Sequence, residues 1–106
     1  MRKIKLETWK VKDQEGNEKD EDLLVALSVL IANKDPKEMP RGIDKHRLFN
    51  RIANAFEKAE KTRVLELEEA DYSFLKETVE KDIPAIWGMN KNISKAIEDF
   101  LAAKNE

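Results

Sequence analysis

The stretch LLVALSVLIA, Leu23–Ala32, is the longest apolar run in a chain in which 40% of the residues are charged. With so much of the sequence bound to stay solvated, the way this run leaves water constrains everything around it. Its ten residues, interrupted by Ser28, fall well short of the roughly twenty needed to span a bilayer, so it reads as a core helix. Asp20, Glu21 and Asp22 precede it, where the positive end of a helix dipole favours negative charge, and a helix is predicted over residues 21–33. Apolar side chains occupy nearly every face of that helix, which is the pattern of a central element covered all round.

The neighbours that would cover it follow from periodicity. KIKLETWKVK, residues 3–12, reads as a strand in which Ile4 and Leu6 share one parity and Trp9 and Val11 the other, a change suited to a bulge or an edge strand. The segment DQEGNEKDED is a charged turn, with Gly16 and Asn17 suited to positive φ. Pro36, Pro40 and Gly42 then punctuate a loop. Asp44 is placed to cap the next helix, with Ile43 and Leu48 at the spacing of a hydrophobic staple. That helix is predicted to run to about Lys61 along a stripe of Leu48, Phe49, Ile52, Ala53, Phe56 and Ala59.

RVLELE follows as a short strand whose natural partner is the N-terminal one. Leu67, Glu68 and Glu69 open a third helix built on Tyr72, Leu75 and Val79, with Phe74 beside them, ending near Lys81 and Asp82. Pro84 suits a first helical position and Gly88 the residue after a last one, so PAIWG is expected to be a single turn. Asn90 or Asn92 caps a final helix with Ile93, Ala96, Ile97, Phe100 and Leu101 on one stripe. The order is β-α-α-β-α-α. The fold class is α+β, mostly helical: about four helices and a small two-stranded antiparallel sheet, in one compact domain over residues 1–106. A chain of 106 residues removes about two-thirds of its unfolded surface from water, enough to fold without a disulfide or metal staple.

Several chemistries are excluded by what is missing. There is no cysteine, hence no disulfide, thiolate zinc site or cysteine nucleophile, and the N-terminus lacks the apolar core of a signal peptide. An intracellular, cytoplasmic location is expected. The one histidine, His46, lies between Lys45 and Arg47 in the first turn of a helix; it could donate to a phosphate, but a solvated surface role accounts for it. Gly16, Gly42 and Gly88 are too far apart to cradle a nucleotide. The acidic cluster Glu66, Glu68, Glu69 and Asp71 matches no calcium loop, and acidic residues at a helix start complement its dipole. The sequon NIS, residues 92–94, matters only in a secreted chain and overlaps a helix cap. No catalytic residue, metal site, cofactor, membrane segment or small-molecule substrate is expected.

What remains is surface. Net charge is −1 over residues 1–33, +4 over 34–63 and −5 over 64–106. The basic segment 37–63, with Lys37, Arg41, Lys45, Arg47, Arg51, Lys58, Lys61 and Arg63, could face the phosphates of a nucleic acid. It has no aromatic side chain free to stack on bases, and the preceding loop with its two prolines is too long for a helix-turn-helix. The tryptophans offer the other route. Trp87, with Ile86 and Met89, could form an exposed anchor of the kind that dominates protein interfaces, or close the core at a helix junction. Trp9 on an edge strand is a second candidate anchor, and a free edge invites pairing with another copy. The chain has the general look of small accessory proteins of bacterial or viral genomes, without a motif that ties it to a family. The expected function is a non-enzymatic protein-interaction, adaptor or assembly role, with self-association into a homo-oligomer; the alternative is a nucleic-acid-binding accessory protein.

Overall fold

In the computed structural model the apolar run forms helix α1, Leu23–Ala32. The Asp22 carboxylate caps it, accepting the backbone N–H groups of Leu24 at 3.0 Å and Val25 at 3.3 Å. The structure describes residues 1–12, 14–39 and 41–104; Asp13 of the charged turn and Pro40 of the loop lie outside them.

The change of parity in the N-terminal segment is a change of sheet. Strand β1, Arg2–Lys5, and strand β2, Trp9–Lys12, are separate. The first pairs antiparallel with a later strand, Ile4 standing opposite Leu65. The second turns back through Gly16, at φ 83, to pair with β3, Glu18–Glu21, setting Trp9 opposite Glu21. The expected bulge is therefore a switch between two two-stranded sheets, and a second sheet joins the one foreseen. EKDE in β3 has no apolar residue, so no alternation could announce it.

Helix α2 spans Ile43–Thr62. Gly42, at φ 103, occupies the cap position in a conformation that favours glycine, which displaces Asp44 into the first turn and leaves Ile43 60% exposed. The staple to Leu48 is therefore not made. The helix ends on Arg63, a left-handed residue at φ 62 whose N–H reaches Ala59 O at 2.8 Å. A non-glycine residue there is costly, and its guanidinium is anchored at both Asp22 and Thr8, each at 2.9 Å. Strand β4, Val64–Leu67, follows and pairs with β1 as expected.

Helix α3, Glu69–Asp82, leads through a 3₁₀ turn, Ala85–Met89, to α4, Lys91–Leu101, capped by Asn90. α1 packs against α3 and α4, while α2 packs against β4 and α3. One cluster of buried side chains links them, with Phe100, Leu27, Leu65, Leu67, Leu75 and Val79 fully enclosed. Among the described residues no helix is long and apolar enough to cross a membrane.

Tyr72 joins α3 to the end of α4. Its ring lies 5.0 Å from that of Phe100, and its hydroxyl donates to Phe100 O at 2.8 Å and Leu101 O at 3.2 Å. The Arg2 guanidinium sits 4.6 Å over the ring and bonds Glu69 and the Ala103 carbonyl, so β1, α3 and the C-terminal turn meet there. Burial raises the Tyr72 phenol above its ordinary value, with Arg2 pulling the other way. A raised value means that the neutral ring's contribution is complete below the unfolded phenol value, about 10, and is lost as pH rises through the folded one. Because Tyr72 is the only tyrosine, phenolate absorbance reports it alone. The midpoint should lie above that of the denatured chain; equal midpoints would remove Tyr72 from the core.

Candidate interaction surface

α1 is not covered all round. Leu23, Leu24, Ala26, Leu27 and Leu30 turn into the core, but Val25 is 40% and Val29 39% exposed. α2, whose core face is Leu48, Ile52 and Ala59, leaves Phe49 and Phe56 half-buried on its flank towards α1. Phe49 is held there by an edge-on contact with Phe74 at 5.2 Å. Two open depressions of about 450 and 440 Å³ result, one lined by Val25 and Val29, the other by Phe49 and Ala53. They share Ser28, Ala32 and Phe56, which makes them one groove.

The groove has ends of different character. Asp22 and Glu60 lie at one, His46 and Asn50 at the other, and among the described residues no lysine or arginine lines it. Asp22 is committed to Arg63 and to its helix cap. Glu60 makes no ion pair among the described residues, leaving it as the uncommitted acid of the groove.

The two tryptophans pack differently. Trp87 is half-buried and rests against the core, and Ser94 Oγ donates to its carbonyl at 3.4 Å. Its neighbours turn outward, Ile86 being 71% and Met89 83% exposed, so the 3₁₀ turn presents a small apolar knob. Trp9, expected as an edge-strand anchor, is buried instead, with an indole N–H that meets no acceptor among the described residues. The β2–β3 hairpin turns its ring inward, where it lines a small recess with Leu23 and Ala96.

The basic segment divides in two. Arg51 makes a forked contact with the buried Asp71 at 2.8 and 3.1 Å, Lys58 pairs with Glu66 at 3.3 Å, Arg63 with Asp22, and Arg47 with Asp44 at 3.8 Å. The Asp71 hydrogen bond raises Arg51 above its ordinary value. Lys37, Arg41, Lys45 and Lys61 make no ion pair among the described residues. The acidic cluster is likewise divided among cations: Glu66 to Lys58, Glu68 and Asp71 to Arg51, and Glu69 to Arg2, which holds the Glu69 carboxyl below its usual range. No group of three potential metal ligands occurs among the described residues. Comparison with known protein families, curated proteins and solved structures returns no match to this chain.

Proposed function

We propose that the protein is a small, non-enzymatic, intracellular interaction protein that works by protein–protein contact and assembles with copies of itself. The observation that carries this reading is the groove: a helix apolar on nearly every face leaves Val25 and Val29 in water beside half-buried Phe49 and Phe56. Leaving apolar area exposed forgoes roughly 25 cal/mol for each Å² that burial would gain, and a contiguous patch of this kind is how interaction sites are recognised. The pairing of Arg51, Lys58 and Arg63 with Asp71, Glu66 and Asp22 also favours it, since ions tied to one another are poorly placed for acid–base work. The nucleic-acid alternative is left with Lys37, Arg41, Lys45 and Lys61, half of the basic set.

Light scattering coupled to gel filtration, run at several protein concentrations and at low and high salt, separates these readings. A defined oligomer that resists salt and carries no nucleic-acid absorbance is expected. A monomer that carries nucleic acid released by salt would replace the assembly reading with the alternative, because phosphate contacts weaken steeply as counterions return.

A further inference from the structure

The two ends of the groove are related in a way that selects a partner. Along α2 the outward stripe runs His46, Asn50, Ala53, Glu57, Glu60, all exposed. Ala53 is central, with His46 seven residues before it and Glu60 seven residues after. Seven residues are close to two helical turns, so all three share one face, with the outer two about 10 Å from Ala53 in opposite directions along the axis. A surface that carries a base on one side of its midpoint and an acid equally far on the other is complementary to itself turned end for end.

We propose that two copies of the chain pair through this face about a two-fold axis at Ala53. The two α2 helices run antiparallel, and His46 of each copy donates a hydrogen bond to Glu60 of the partner subunit. The inference rests on the self-association proposed above and adds its register. An isologous interface needs a patch that recognises itself, and this arrangement makes the pair of polar contacts twice. Parallel pairing would set Glu60 against Glu60. The antiparallel arrangement also opposes the helix dipoles and brings Asn50, an amide donor, beside Glu57 of the partner subunit. Ala53 at the crossing point suits the 8–10 Å approach of packed helices. Val25 and Val29, with Phe49 and Phe56, then lie along one side of the contact.

The surroundings leave these two residues to each other. At the His46 end α1 contributes Ser28, Ile31 and Ala32, none of them charged. On its own helix Asp44 pairs with Arg47, and Lys45 lies in a separate depression with Glu77 and Lys81. Near Glu60, Asp22 is taken by Arg63, and Lys61 follows in sequence without lining the groove. An imidazole N–H can donate to a carboxylate whether or not the ring is charged, so the contact does not depend on protonation.

Charge exchange tests the register. Dimer dissociation constants would be measured by analytical ultracentrifugation for the parent chain, His46→Glu, Glu60→Lys and the double variant, with circular dichroism confirming helix content. All the substituted positions are solvent-exposed, so the fold should survive. His46→Glu, which sets two carboxylates against each other, should weaken the dimer by about tenfold or more, and the double variant, which restores a donor opposite the acid, should recover most of that loss. A double variant as weak as the two single losses added together would overturn the His46–Glu60 pairing. A dimer broken by Val29→Asp but indifferent to all three charge variants would overturn the register and leave the groove as the interface. A parent chain that stays monomeric at every concentration would overturn self-association itself.

Discussion

Val29→Asp should abolish self-association while leaving helix content and thermal stability close to those of the parent chain. Val29 is 39% exposed on the open side of α1, so a carboxylate there remains hydrated in the monomer. In the complex the same carboxylate would be shut into an apolar contact without a partner, and burying an unpaired charge costs several kcal/mol. A loss of even about 3 kcal/mol corresponds to a dissociation constant more than a hundredfold weaker. Leu27→Ala provides the contrast within the same helix. Leu27 is 1% exposed, and truncating a buried leucine costs about 2–5 kcal/mol of folding stability. The two variants, two positions apart, should therefore fail differently: one in association, the other in folding. Unfolding of Val29→Asp would mean that this side of α1 belongs to the monomer's core. Unchanged association would remove the groove from the interface.

What the sequence conveyed and what it withheld can be traced to particular residues. The stripe from Leu48 to Ala59 and the stripe from Ile93 to Leu101 repeat at helical spacing, and both became helices, although in the first only Leu48, Ile52 and Ala59 are buried while Phe49 and Phe56 stay half-buried and Ala53 is exposed. Asn90 could be read as a cap because an amide side chain satisfies free helix N–H groups, and it accepts from Asn92 at 3.0 Å and Ile93 at 3.2 Å. The pairing of β1 with β4 was legible from two short apolar segments that had only each other as partners. β3 was not legible, because a hairpin arm of Glu, Lys, Asp and Glu carries no alternation; its position comes from the turn at Gly16 and from Trp9, which the hairpin folds inward. Asp44 looked like a cap because of its type, yet Gly42 takes that position through backbone freedom, which side-chain chemistry does not announce. The groove was hidden for a different reason. Apolar residues on every face of α1 show how much surface seeks cover, but not how much the rest of the chain supplies. With α3 and α4 on one side and α2 held to β4, the cover runs out at Val25 and Val29. Glu60 and His46 gained meaning only once the groove between them was known.

Phe100→Ala should cost about 3–5 kcal/mol of folding stability, the largest loss expected from any single truncation in this core. Phe100 is fully enclosed, lies against Tyr72, and its own carbonyl accepts the Tyr72 hydroxyl at 2.8 Å. Removing the ring therefore opens a cavity at the point where α3, α4 and the Arg2 contact converge. A domain of this size is stable by only about 5–15 kcal/mol, so the variant should unfold at a much lower denaturant concentration and be partly unfolded at moderate temperature. Phe100→Leu, which keeps most of the volume, should lose considerably less. The consequence for assembly follows from the packing order. α1 is held by α3 and α4, so loosening α4 releases the helix that forms one wall of the groove, and association should fall in step with folding rather than independently of it. Denaturant unfolding and sedimentation on the same samples would show this as parallel losses. A Phe100→Ala chain that unfolds readily yet still dimerises at full strength would show that the contact surface does not need α1 held in place, and would move the interface off the groove.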